Sequence, residues 1–416
     1  MFSYRLAAKG KRPFLHIALF MDQHPHSLGG VQTSVMLQKK YLNRNGVKVT
    51  IFAPKSKRMV QDPDIKVIPS SYPTIGREYS VVWSLRKASK FCQSQYEAQH
   101  FDLVHLQGDF AAASLAIELA KSRNLPLVYT SHTNVDVMAN KLIGKPLKIV
   151  LLRFFTWQHA HFLKIANYPK VFTAFEYMTF VHRNMDKVLA PSSHYAQLLK
   201  DKGVAKEVDV VINGVDDELL TNLKRNTPVP QKPVHFVWAG RMQPEKRLLQ
   251  TLEAFARAKG KATLDVYGFG PLERAAKNLA RARRLSKRVK FHGKLPHREI
   301  LQVFADADVV MQTSIGFETQ GLTVYEAAAT GTPTILCDSK ISAEMPKGSN
   351  WLDDSGTIKG LAKTIKKANK EISEGSTRRE TLADNKWLYQ SEISKKTIAL
   401  YKQMIEQKAT PASPRT

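Results

Sequence analysis

Short apolar runs alternate with amphipathic helical stretches twice along this chain, and that rhythm limits the fold more than any other feature. The first half carries "FLHIALFM", "VKVTIFAP", "FDLVHLQ", "LPLVYTSH", "DKVLAPSS" and "EVDVVING", with helical patterns such as "VQTSVMLQKKYLNRNG" and "DFAAASLAIELAKSRN" between several of them. Parallel neighbours cannot be joined by a tight turn. They need a crossover, usually a helix, so this alternation predicts a doubly wound parallel sheet. Residues 222–233, "NLKRNTPVPQKP", interrupt the pattern with three prolines and no apolar period, which reads as a linker. The alternation then restarts through "VHFVWAG", "TLDVYGFG", "RVKFHGKL", "ADVVMQTS" and "TPTILCD". The expected architecture is α/β, with two doubly wound Rossmann-like domains facing a central cleft. The first spans 1–222, a linker 223–233, the second 234–390, and a C-terminal helix and tail over 391–416 is free to pack back on the first domain.

Size agrees with two cores. A chain of 416 residues exceeds what one hydrophobic core usually organises. Only Cys92 and Cys337 are present, without metal-like spacing, so a disulfide framework is not expected and a reducing cytoplasm is. The start mimics a signal peptide, but its apolar stretch is short and contains His16, and it reads as a first buried strand. No window approaches the ~18 apolar residues that span a bilayer. The 63 Lys+Arg against 36 Asp+Glu give a net charge of +27, which makes nucleic acid, an anionic lipid surface and anionic small substrates the candidate partners.

In open parallel sheets, ligands bind beyond the carboxyl ends of the strands, so the loops there carry the functional question. "WAGRMQPEKR" follows a strand and precedes a helix, and it holds Arg241 and Lys246. Two cations beside a helix N-terminus make a seat for a diphosphate, although a solvated basic loop explains them equally well. "VVMQTSIGFETQGLTVYEAAATG" runs from a strand through a loop into a helix, with Glu318 before the helix and Glu326 inside it. The helix dipole explains Glu318. It does not explain Glu326, which sits among Val324, Ala327, Ala328 and Ala329 on a helix that ought to be buried, where an acid needs a partner such as a ligand hydroxyl. Gly29 and Gly30 lie between the first strand and first helix, where backbone amides can approach a phosphate, though a lone Gly-Gly is common. His132 ends another strand and can reach a cleft, or serve as a structural histidine.

Other patterns are missing or misplaced. No phosphate loop or Gly-x-Ser-x-Gly elbow occurs, and "GFGP" lacks the third glycine of a dinucleotide fingerprint. Asp62-Pro63-Asp64 and Asp306-Ala307-Asp308 have the form used by metal-dependent sugar transferases, but both read as structural. The pairs His24/His26 and His159/His161 could suggest a metal, but no set of acidic or cysteine ligands at metal-site spacing accompanies them, so no metal site is expected.

Together these segments resemble a retaining glycosyltransferase of family 4 with the GT-B fold. "AGRMQPEKR" is similar to the family's Arg-x4-Lys donor loop, "ETQGLTVYEA" to its Glu-x7-Glu signature, and "APSSHYAQLLKDKGVAKEVDVVINGVD" to the stretch closing the first domain. The resemblance implies that Arg241 and Lys246 hold the donor diphosphate, Glu326 the ribose and Glu318 a hydroxyl of the transferred sugar. It also implies that Thr319, Gln320, Gly321 and Leu322 present amides to sugar and phosphate, that Gly29 and Gly30 lie against the diphosphate from the other domain, and that His132 flanks the reacting sugar. Arg241, Lys246, Glu318 and His132 would then be the catalytic set, with no metal and no cofactor, the co-substrate being UDP-glucose or GDP-mannose. "ETQG" and Phe269 depart from the commoner family forms, and "ETQGLT" is similar to the branch that glucosylates diacylglycerol.

Residues 137–175 contain no Asp or Glu. They hold Lys141, Lys145, Lys148 and Arg153, interleaved with Phe154, Phe155 and Trp157. A basic segment with a large aromatic face can lie on an anionic bilayer, and it can equally be a core helix with a solvated basic face. The first reading favours a lipid acceptor and a cytoplasmic protein held peripherally at the inner face of the membrane. A soluble sugar acceptor is the alternative within the enzyme class. A basic nucleic-acid-binding protein is the rival outside it, but net charge alone supports that and no recognition element is present.

Overall fold

A computed structural model describes residues 14–27, 29–57, 60–71, 80–132, 145–226 and 230–410. Among the described residues, thirteen strands build two parallel sheets. The first contains β1 (Leu15–Phe20), β2 (Val47–Ala53), β3 (Ile65–Val67), β4 (Leu103–Leu106), β5 (Leu127–Thr130), β6 (Lys187–Ala190) and β7 (Asp209–Val210), in the order β3-β2-β1-β4-β5-β6-β7. The second contains β8 (His235–Ala239), β9 (Thr263–Tyr267), β10 (Val289–Gly293), β11 (Val309–Gln312), β12 (Thr334–Leu336) and β13 (Asn350–Leu352), in the order β10-β9-β8-β11-β12-β13. The alternation in the sequence thus does give two doubly wound sheets.

Strands covered by helices on both faces have no polar side to keep, which is why they read as unbroken apolar runs. In β1, Ile17 to Phe20 are fully buried, with Ile17 in register with Val49 on one side and Leu103 on the other. Two strands escaped sequence reading, β3 and β13. Each has three residues and pairs on one side only, so neither needs the apolar run that marks a central strand.

Among the described residues the chain separates into two compact units, one of 1–131, 149–188 and 394–416, the other of 132–148 and 189–393. The last helix, Gln390–Ala409, ties into the first unit through Tyr401, whose hydroxyl meets His105 Nδ1 at 2.6 Å while His105 Nε2 meets Thr130 Oγ1 at 2.8 Å. All three residues are buried, so this chain of hydrogen bonds has no water to replace it.

Both Asp-x-Asp stretches do structural work. Asp62 and Asp64 hold Lys39 Nζ at 2.7 and 3.2 Å. Asp308 accepts from the amides of Gln231 and His235, and Asp306 from the amide of Asn226. Replacing Tyr401 with Phe should lower the thermal unfolding midpoint through a loss of about 1–3 kcal/mol, because a buried imidazole nitrogen loses its partner. An unchanged midpoint by differential scanning calorimetry would show that the hydroxyl is not holding the helix.

Candidate functional site

The second sheet reverses its winding direction between β8 and β11. Loops that follow these two adjacent strands are led away to opposite faces, and they open a crevice at the carboxyl edge between them. The loop after β8 carries Arg241 and Lys246, and the loop after β11 carries Glu318. Residues 72 positions apart are therefore brought together: Lys246 Nζ donates to Glu318 Oε1, both side chains being only 15% and 13% exposed.

A buried threonine pins the two loops. Thr313 Oγ1 donates to the carbonyl of Lys246 at 2.9 Å, sits 2.9 Å from Thr251 Oγ1 and accepts from the indole of Trp238 at 3.3 Å. The loop after β9 closes on the same place. Gly268 has φ +119°, and a Cβ there would stand 1.9 Å from the carbonyl of Gly240; Met242 N also donates to Phe269 O at 2.9 Å. The glycines of "GFGP" thus serve close backbone packing behind Arg241, which itself is exposed.

The segment 318–322 is held by backbone contacts from several directions. Thr319 Oγ1 donates to the carbonyl of His132 at 2.8 Å, and Ser192 Oγ donates to the carbonyl of Thr319. Gln320 is buried and exchanges three hydrogen bonds with Asn213: its Oε1 accepts from Asn213 N and Nδ2 at 3.0 and 2.6 Å, and its Nε2 donates to Asn213 O at 2.9 Å. Its side chain is therefore committed to the scaffold, which leaves its backbone as the part available to a ligand. Gly321, at φ +84°, caps the helix Leu322–Ala329 without any side-chain cap. Backbone N–H groups at such an end, with the helix dipole behind them, suit an anion.

Glu326 lies on that helix, 16% exposed, and it already has a protein partner: His297 Nε2 approaches its Oε1 at 2.7 Å. Burial alone would lower the His297 pKa, but the neighbouring carboxylates of Glu326 and Asp216 outweigh it and raise it above the ordinary value. His132 is half-buried beyond β5, and desolvation pushes its imidazole down to about 4, so it is neutral near pH 7. Neutral, it can donate and accept without adding charge. His194 supports the same loop, with Nε2 3.3 Å from the Glu318 carbonyl and Nδ1 2.9 Å from Glu344 Oε1. Burial would raise the Glu344 pKa, yet hydrogen bonds from His194 and Ser193 bring it down to about 2.

Gly29 and Gly30 belong to the first unit, at the start of the helix Gly30–Arg44. There the winding reverses between β1 and β4. Asp22 spans that point, accepting from the amides of Asp109, Phe110 and Ala112 at 2.6, 2.9 and 3.0 Å and so capping the helix Ala111–Arg123 from outside it. Burial pushes the Asp109 carboxyl up to about 7.

On the helix Lys145–Phe162, one stripe faces inward: Lys148, Leu152, Thr156, His159 and Ala160 are buried. Lys148 must therefore be removed from the exposed basic set, because the 3.6-residue period carries it to the inner side. Outward lie Leu147, Val150, Phe154 and Trp157, from 46 to 61% exposed, with Arg153 exposed and Phe155 half-buried. A core helix with a solvated basic face would put lysines where these apolar groups stand. Arg153 lies over the exposed ring of Phe172 at 4.5 Å. Lys141 lies outside the described residues, and Lys145 opens the helix.

Sequence reasoning named Arg241, Lys246, Glu318 and Glu326 but assigned no role to Thr313, Asn213, His194 or His297. All four stand in or beside quoted motifs, yet hydroxyl, amide and imidazole side chains carry no periodic signal of their own.

A family model described as Glycosyltransferase Family 4 matches residues 28–219, and one described as Glycosyl transferases group 1 matches 221–385. An alpha-monoglucosyldiacylglycerol synthase of Streptococcus pneumoniae is 25% identical over 338 residues, covering 77% of this chain and 70% of the relative. The enzyme of the same name from Acholeplasma laidlawii is 25% identical over 358 residues, covering 81% and 84%. Among solved structures, a sucrose-phosphate synthase from Thermosynechococcus elongatus superimposes with a TM-score of 0.72 at 17% identity, over 94% of this chain and 100% of that one, and so shares the GT-B fold.

Removing one partner of the Lys246–Glu318 pair leaves a poorly solvated charge. Lys246→Met and Glu318→Gln should each destabilise by about 1–3 kcal/mol, less than a fully buried pair because both retain some exposure. The double variant should recover part of that loss in a denaturant-based cycle, whereas strict additivity would mean the two groups are not coupled. Glu344 makes a pH prediction. Its pKa falls from 4.5 in a free chain to about 2 when folded, so its stabilisation is present above 4.5 and lost as the pH drops towards 2. Glu344→Gln should flatten the stability profile in that acid window, and an unaltered profile would remove the assignment.

Proposed function

The chain belongs to glycosyltransferase family 4, and from that membership we propose that it moves a hexose from a nucleotide sugar to a membrane lipid acceptor with retention of anomeric configuration. The observation that carries the reading is the joined constellation at the second sheet's winding reversal: the Lys246–Glu318 pair, the Gly321-capped helix end and Glu326 one turn further on.

Breaking a sugar–phosphate bond builds negative charge on the departing diphosphate and positive charge on the anomeric carbon. Arg241, Lys246 and the amides of the helix Leu322–Ala329 meet the first; Lys246 and the helix amides are set in place before reaction. Because Glu318 accepts from Lys246, the ammonium is held in one position, which limits the reorganisation that a diphosphate demands on arrival. Glu318 then faces a sugar hydroxyl, Glu326 the ribose, and neutral His132 flanks the sugar without repelling the forming cation. In a retaining transfer of this kind the acceptor hydroxyl attacks from the leaving-group face and the departing phosphate takes its proton, so no side chain has to act as nucleophile.

The names of the two relatives describe a glucosylated diacylglycerol as product, which favours UDP-glucose over GDP-mannose as donor and a diacylglycerol-type lipid as acceptor. The outward stripe of Leu147, Val150, Phe154 and Trp157, with Arg153, Lys164 and Lys170 exposed around it, fits an anionic bilayer surface. No helix among the described residues is long and apolar enough to cross a membrane, so the proposed contact is peripheral.

Purified protein given liposomes of anionic lipid and diacylglycerol should pass label from UDP-glucose into the organic-extractable fraction. Glu326→Ala should lose at least about 90% of that transfer while keeping its fold, and Phe154→Ala/Trp157→Ala should lose vesicle co-sedimentation. Slow donor hydrolysis without lipid labelling would move the acceptor to a soluble sugar. Failure to bind either UDP-glucose or GDP-mannose would end the reading.

A further inference from the structure

We propose that His297 is a positioning residue that sets the Glu326 carboxylate for recognition of a nucleotide ribose. This rests on the reading of Glu326 given above. The two-glutamate motif does not encode it: His297 lies 29 residues away, at the first position of the helix His297–Asp306.

That helix and the helix Leu322–Ala329 share one core, where Phe304 and Ala327 are both fully buried together with Val237 and Val310. Thr332 Oγ1 donates to the carbonyl of Phe304 at 2.7 Å and fastens the end of one helix to the other. The imidazole and the carboxylate thus project from two elements whose spacing is set by packing, and the 2.7 Å contact between Nε2 and Oε1 follows from it. A glutamate side chain has three rotatable bonds, and a single engaged oxygen is enough to stop them turning. A carboxylate offers about four acceptor directions, so with Oε1 held by one ring nitrogen, Oε2 and the remaining lone pairs stay available to two neighbouring hydroxyls. Vicinal ribose hydroxyls present that pair of donors. An ordinary half-exposed ion pair between two helices would contribute little stability and would not distinguish one ligand from another. Ligand selectivity is therefore what separates the two roles.

The test is calorimetric titration with two probes, UDP and 2′,3′-dideoxy-UDP, of the wild-type protein, His297→Ala, His297→Gln and Glu326→Gln. His297→Ala should bind UDP about tenfold more weakly, the loss of one hydrogen bond to a charged group. His297→Gln, which keeps a donor, should recover much of that. Neither variant should alter the already weaker binding of the dideoxy probe. Equal losses on both probes, or no loss on UDP, would overturn the positioning role. Unaltered UDP binding by His297→Ala, with Glu326→Gln strongly impaired, would remove His297 alone and leave the ribose reading standing. A wild-type protein that binds both probes alike, or binds neither, would overturn both.

Discussion

The reversal of winding between β8 and β11 is the constraint on which the candidate site depends. Right-handed crossovers send the chain to one face of the sheet on one side of that point and to the opposite face on the other, so the two loops leaving it cannot fill the gap between them. Every group of interest in the second unit descends from this. Lys246 and Glu318 meet because their strands are neighbours, and the helix Leu322–Ala329 points its N-terminus at the gap because its loop leaves β11 there. Thr313, fully buried, converts nearness into fixed geometry by tying the carbonyl of Lys246 to the β11 side.

Charge is distributed with the same economy. In a chain of net charge +27, the acids at the site are each engaged: Glu318 by Lys246, Glu326 by His297, Glu344 by His194 and Ser193. Each of these contacts limits the positions its carboxylate can take. Arg241 remains exposed on its loop, a charge not pulled into the scaffold.

The helix Lys145–Phe162 shows a different solution to amphipathicity. It buries one stripe and exposes another that is also apolar, with Arg153 exposed beside it. A helix serving a core alone has no reason to carry Trp157 and Phe154 outward. The exposed aromatic stripe is the feature on which the proposed contact with an anionic bilayer rests.

The sequence by itself determined the architecture, because parallel strands buried on both faces must be unbroken apolar runs and must be joined by helices. It also drew attention to Arg241 and Lys246, as cations in a loop between a strand and a helix, and to Glu318 and Glu326, as acids before and inside a helix of small residues. It misplaced Lys148, since composition counts a lysine without saying which side of a helix it occupies, and it passed over the three-residue edges β3 and β13, which are too short for a periodic signal. Only the tertiary structure decided the partners. That Glu326 faces His297, that Gln320 spends its side chain on Asn213 rather than on a ligand, and that Tyr401 reaches back 296 residues to His105 depend on distances between elements, and packing sets those distances rather than any spacing along the chain.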